Sequence, residues 1–174
     1  MARFRVGKRH LASVLALLAP TLVGTTGLSS NFEDRVIAAH NRERDALGIA
    51  PMRWDARLAA SAQSWANHLA ATRSFRHAGS QQLGDQGENL WMGTTSHFSV
   101  EAMVDGWLRE KRQFKQGRFP DNSRTGDYRD VAHYTQIVWR DTGSVGCARA
   151  SNGEHDFLVC RYAEAGNYIG EVPY

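Results

Sequence analysis

The stretch Ala132-His-Tyr-Thr-Gln-Ile-Val-Trp-Arg-Asp-Thr142 sets one histidine, His133, against the unbroken apolar run Ile137-Val138-Trp139. An imidazole buried there without partners is costly, so His133 needs polar groups from elsewhere in the chain. By apolar content alone, Tyr134 to Trp139 reads as a buried strand. Two β-rich segments follow, 144–150 and 157–163, and they carry the only two cysteines, Cys147 and Cys160. The Ser-Asn-Gly-Glu-His-Asp stretch between them is a hairpin signal.

Upstream, the pattern turns helical. Asn31 is placed to cap a first helix with Asp34 in its first turn, and Phe32, Val36, Ile37, His40 and Leu47 fall near helical spacing. Gly48 stops it and Pro51 follows. Asp55 caps a second helix whose face runs Leu58, Ala59, Ala62, Trp65, Ala66, Leu69 and Ala70, and so many alanines imply close packing. A third helix starts from a Ser99 cap and runs through Met103, Val104, Trp107, Leu108, Lys111 and Phe114, with Glu110 on it. Between them lie a polar loop holding His77, a short extended piece from Gly87 to Gly93, and a second long loop over 117–130. A loop that long in a compact domain is usually functional or mobile. Helices first and strands late indicate an α+β arrangement.

A chain of 174 residues is one domain with a proper core. Its first thirty residues read as an export signal. Arg3, Arg5, Lys8 and Arg9 precede the apolar stretch Leu11 to Leu18, and small residues follow. An uncleaved anchor is the competing reading. The expected division is therefore a signal peptide over 1–30 and one domain over 31–174, secreted or periplasmic, with no stable membrane span once the signal is removed. Four of the 21 Lys+Arg and none of the 18 Asp+Glu lie in residues 1–30, which leaves 17 basic against 18 acidic, a net of −1. Nucleic acid is excluded as a partner class, because its footprint is a basic patch on the mature fold. In an oxidising compartment the default for Cys147 and Cys160 is one disulfide, with two buried thiols as the alternative.

Taken in order, several short motifs resemble the CAP superfamily, which groups cysteine-rich secretory proteins, antigen 5 and pathogenesis-related protein 1 around the SCP domain. They are His40-Asn41-x-x-Arg44, Trp54 with Leu58-Ala59, Trp65-Ala66, His77 and Gly87-Glu88-Asn89-Leu90. Trp107 with Glu110, then His133-Tyr-Thr-Gln-Ile-Val-Trp139, Gly146-Cys147, Cys160-Arg161-Tyr162 and Gly166-Asn167 complete the series. The resemblance spans roughly 32 to 170. Ala132 and Glu164 depart from the family's usual residues, and the cysteine-rich tail of some members is missing. One cysteine pair and no Asn-x-Ser/Thr sequon lean towards a bacterial exported member. The resemblance implies a three-layer α-β-α sandwich with a central antiparallel sheet, and a short helix rather than a strand at Tyr134 to Trp139.

It also implies a cleft tetrad of His77, Glu88, Glu110 and His133. Three readings of that tetrad stay open. Two imidazoles suit zinc or another divalent metal, with His77 and His133 as ligands and the glutamates behind them, bound weakly and not needed for folding. Glu88 and Glu110 are the candidate catalytic carboxylates of metal-free acid–base chemistry, glycosidase-like or with a histidine as general base, or of the alternative function, a metal-assisted extracellular hydrolase, although no Gly-x-Ser-x-Gly motif accompanies them. Alternatively, the His–Glu pairs only brace the loops over the core. His40, Asn41, Arg44, Asn89 and Asn167 are expected to be structural, the first three tying the first helix to the Gly-Glu-Asn segment. His68, His97 and His155 are expected to be ordinary surface or capping residues, and Trp54, Trp65, Trp107 and Trp139 core. Trp91 stands apart because it follows Glu88 closely. The function expected is a non-enzymatic binding module for a sterol or fatty-acid-like ligand or an extracellular protein partner.

Overall fold

The structure, a computed structural model, describes residues 27–174, with side chains from residue 31. The expected export signal therefore lies outside the described residues but for its last four, which form backbone at the start of the first helix. That helix, α1, spans Gly27–Ala46, so Asn31 lies within it instead of capping it. It ends at Gly48, whose φ of 68° is a left-handed conformation that glycine adopts without a Cβ penalty.

Helix α2 (Ala56–Thr72) is capped as its sequence demands: the Asp55 carboxylate accepts the N–H groups of Arg57 and Leu58. Its buried face is Leu58, Ala62, Trp65, Ala66, Leu69 and Ala70. A single turn, α3 (Ser80–Leu83), interrupts the loop that follows. Helix α4 (Val100–Leu108) starts at Ser99, whose hydroxyl accepts the Ala102 N–H. It is shorter than its apolar pattern suggests. A 3-10 turn over Arg109–Arg112 takes over, so Glu110 stands on that turn and not on the helix. The run around His133 is helical, α5 (Ala132–Ile137), followed by a turn at Val138. Thr135 and Gln136 are buried there along with Tyr134 and Ile137, so burial and apolar content alone do not distinguish this helix from the buried strand the stretch reads as.

The sheet has the order β1-β3-β4-β2. Strands β3 (Ser144–Ser151) and β4 (His155–Ala163) form the expected hairpin, with Cys147 directly opposite Cys160 and a disulfide joining them. Strand β2 (Gly87–Thr94) runs antiparallel to β4 at one edge, with Glu88 opposite Arg161. At the other edge the two-residue β1 (Arg53–Trp54) adds in parallel, an element too short to announce itself in sequence.

Alternation along β4 divides the core in two. Phe157 and Val159 meet Leu90, Ala148 and the α2 residues Trp65, Ala66 and Leu69. Leu158, Cys160 and Tyr162 meet α1, α4 and α5 through Val36, Met103, Trp107 and Ile137. The result is three layers, α2 on one face and α1, α4 and α5 on the other. Helix α2 sits so close to β3 that a Cβ at Gly146 would run into the backbone of Leu58 and Ala59. Trp65, Trp107 and Trp139 are core residues, whereas Trp54 is half-buried on β1 and meets Phe32 edge-on at 6.4 Å.

Candidate functional site: two histidine–glutamate pairs at a sheet edge

Strand β2 is an outer strand, and its side chains alternate across the sheet, so Glu88 and Asn89 project to opposite faces. On the α2 face, Glu88 Oε1 accepts from His77 Nδ1 at 2.7 Å and from the Ala78 N–H at 3.0 Å. Its Oε2 lies 3.0 Å from Arg161 Nη2, and both of these side chains are 1% exposed. The His77 ring, by contrast, is 60% exposed. On the opposite face, the 3-10 turn presents Glu110 to the start of α5. There Oε1 accepts from His133 Nδ1 at 2.6 Å, and Oε2 accepts the N–H groups of His133 and Tyr134, each at 3.0 Å. The His133 ring is 29% exposed and stacks near Trp107, at 6.2 Å and an interplanar angle of 17°.

Each imidazole therefore faces a carboxylate through Nδ1, which places a proton there and leaves Nε2 outside the pair. Asn89 joins the halves: its Nδ2 donates to the His133 carbonyl at 3.0 Å and to the Tyr162 hydroxyl at 3.2 Å. Behind it, His40 is fully buried, with Nδ1 on the Val36 carbonyl at 2.8 Å and Nε2 on the Tyr162 hydroxyl at 2.9 Å. Burial is the main cause that pushes the His40 pKa down to about 4, with the nearby Arg44 charge adding to it against the Val36 bond.

Arg44 holds the far end of α5. Its guanidinium donates to the carbonyls of Ala50, Ile137, Trp139 and Thr142 at 2.8 to 2.9 Å. Helices end with unpaired carbonyls, and one buried cation satisfies several of them here. Burial lowers its pKa to about 10. Asn41 does not reach the Gly-Glu-Asn segment. It pairs with the Met52 backbone, donating to its carbonyl at 3.0 Å and accepting its N–H at 2.8 Å. Asn167 braces the start of α5, donating to the Ala132 carbonyl at 2.9 Å and accepting from Thr135 Oγ1 at 2.6 Å.

Some residues of this framework carry roles their sequence did not suggest. Gln136 donates to Thr142 Oγ1 at 3.2 Å and accepts the Gly166 N–H at 2.9 Å, and a Cβ at Gly87 would collide with its side-chain amide. Arg161 is the partner of Glu88, and its signal was a charge between Cys160 and Tyr162 in the otherwise apolar run 157–163. His68 is not a bare surface group: it stacks on Trp65 at 4.6 Å and 18°. Trp91 packs edge-on against Phe98 at 5.1 Å. His97 is exposed and His155 half-buried at the start of β4.

The donor set suits a metal only in part. An imidazole whose Nδ1–H is held by a carboxylate, with Nε2 free, is how proteins prepare a histidine ligand. Among the described residues, however, no group of three or more His, Cys, Asp or Glu is placed to hold an ion. Two histidines from opposite sides of an edge strand would make an open site completed by water.

Residues 37–162 match the family model for CAP, the cysteine-rich secretory protein family. The chain is 33% identical over 162 residues to pathogenesis-related protein 1A of Nicotiana tabacum, covering 92% of each chain. To pathogenesis-related protein 1 of Arabidopsis thaliana it is 37% identical over 158 residues, covering 88% of this chain and 91% of the relative. Among solved structures, NaASP2 with Zn2+ superposes with a TM-score of 0.73 at 23% identity, covering 87% of this chain and 88% of its own. BmVAL-1 gives 0.71 at 23% identity over 91% and 86%. The layered fold and the family match agree: this chain belongs to the CAP family of cysteine-rich secretory proteins.

Proposed function

We propose that the chain is an extracytoplasmic binding module, secreted or periplasmic, in which the two histidine–glutamate pairs brace the scaffold and do not catalyse. The engagement of three of the four carboxylate oxygens by hydrogen-bond donors supports this reading, the fourth, Glu88 Oε2, being buried beside the Arg161 charge. Glu110 accepts three N–H groups over its two oxygens, and Glu88 accepts two while facing Arg161. A general base needs a lone pair within reach of a substrate proton. Three of the four oxygens already accept hydrogen bonds, and Glu88 Oε2 is buried 3.0 Å from Arg161 Nη2.

The ligand class that the family resemblance implies is a sterol or fatty-acid-like molecule, or an extracellular protein partner. Among the described residues no helix is long and apolar enough to cross a membrane. A divalent metal such as zinc is a weak secondary ligand in this reading, held by His77 and His133 through Nε2. It would supply Lewis acidity at the rim of the cleft. Glu88 and Glu110 hold both imidazoles without it, so in this reading folding does not depend on it.

The test uses the wild type with Glu88→Gln, His133→Ala and the His77→Ala/His133→Ala double variant, each checked for folding. Cholesterol and palmitate are titrated as lipid probes and zinc as the metal probe, with ester and peptide hydrolysis followed in parallel. The expected result is lipid capture indifferent to Glu88→Gln and His133→Ala, with zinc binding lost in the double variant. Turnover that disappears in folded Glu88→Gln or His133→Ala would replace this reading with the hydrolase.

A further inference from the structure

Arg161 is 1% exposed, and only its Nη2 meets a partner, Glu88. Its Nε and Nη1 are buried with no hydrogen-bond partner among the described residues. A buried guanidinium with two unpaired donors is expensive, and such groups in native proteins call for a ligand, an ion or water. The same arginine lines an open cavity of about 600 Å³ between α2 and the 76–82 segment. Ser61, Ser64, His68, Arg76 and Gln82 stand around it, and no acidic side chain is among its lining residues. Arg76 lies across the Trp65 ring at 5.3 Å, with Nη2 3.2 Å from His68 Nε2. That contact assigns His68 Nε2 as the acceptor, since a guanidinium only donates.

The geometry points to a binding site for an oxyanion, a phosphate or carboxylate group carried on a larger body, in this cavity. Arg161 supplies unpaired donors at the buried end and Arg76 a second cation at the mouth. The hydroxyl of Ser64 and the amide of Gln82 add neutral donors along the wall. Guanidinium groups suit this task because they present several N–H donors in a fixed plane. A small turn of Arg161 towards the cavity brings Nε and Nη1 to the ligand, and its one tether, Glu88, keeps its other donors. The volume matches a small-molecule pocket and exceeds what a bare ion fills.

The site is separate from the histidine pairs, and its test does not depend on their role. Inorganic phosphate and benzoate are titrated in turn into the purified protein at constant ionic strength, with sodium chloride as control. The side-chain N–H signals of Arg161 and Trp65 are followed by nitrogen-15 NMR. The expected result is a saturable shift of both signals with Kd of about 1 mM or tighter for at least one probe, which also identifies the preferred head group. Arg76→Gln, at an exposed position, should weaken that binding about tenfold. Shifts that match the chloride control, or binding indifferent to Arg76→Gln, mean an adventitious ion only and overturn the proposal.

Discussion

The Tyr162 hydroxyl lies 2.9 Å from His40 Nε2, and its other neighbour settles the direction of that bond. Asn89 donates to the same oxygen, and His40 Nδ1 faces a carbonyl that can only accept. Nδ1 therefore carries the ring proton, the hydroxyl donates to Nε2, and the chain from Val36 to His133 runs without a conflict of donors. A second proton on His40 would break it.

Stability should therefore fall on acidification. With a folded pKa of about 4 against the ordinary value of 6.5, His40 takes up its proton in the unfolded chain first. The neutral ring's contribution is complete above about pH 6.5, declines as pH falls, and is gone below about 4, a total on the order of 3 kcal/mol. Urea unfolding at pH 7, 5.5 and 4 measures it. His40→Asn should be less stable at neutral pH and should lose that part of the slope.

Arg44→Met should be among the most damaging substitutions. It removes a cation that satisfies the carbonyls of Ile137, Trp139 and Thr142 and leaves them buried without donors. A loss of about 3 kcal/mol or more is expected. Arg44→Lys should recover only part of it, because one ammonium cannot reproduce the planar spread of donors. Denaturant midpoints for the pair check both statements.

The disulfide joins Cys147 to Cys160 across 13 residues of sequence. Opening a loop of that size costs roughly 3 kcal/mol in the chain-entropy account. Melting with and without reductant, alongside the Cys147→Ala/Cys160→Ala double variant, should show matching drops. Unchanged melting after verified reduction would contradict the estimate.

Glu110→Gln should change which nitrogen of His133 carries the proton. Oε2 accepts two backbone N–H groups, so the glutamine oxygen belongs there and its NH2 then faces His133 Nδ1. Two donors cannot share that contact, and the ring must move its proton to Nε2. Nitrogen-15 shifts of the imidazole report the tautomer directly. Zinc affinity should fall at least tenfold in the same variant, because a proton on Nε2 blocks the nitrogen that would take the metal.

Gly146→Ala tests the closeness of α2 to the sheet. The added methyl meets backbone, not a flexible side chain, so α2 must shift. A loss of about 1–3 kcal/mol is expected, read as a lower thermal midpoint.

Much of this was legible in the residues, for physical reasons that differ by element. Asp55 and Ser99 announced their helices because a cap is a local hydrogen bond, and the β3–β4 hairpin followed from two β-rich runs around a turn. Family motifs, not periodicity, indicated α5, because a fully buried short helix has the same apolar content as a strand. The break after Leu108 was hidden, since its 3-10 turn continues the helical pattern. His77, Glu88, Glu110 and His133 were nameable from motif positions, but their division into two pairs depends on strand parity. The role of Arg44 at α5 was out of reach because its partners there are carbonyls roughly 95 residues away, and a carbonyl has no sequence signature.

Strand β2 ends the sheet, and an open strand edge invites pairing with a second chain. The residues around it leave little room for such a visitor: Trp107 donates to the Leu90 carbonyl at 3.0 Å, and the pairs pin one loop on either side. The same two pairs therefore help to hold cover over this edge. Loosening both clamps would release a sticky border long before it unfolded the core, and aggregation would be its first symptom.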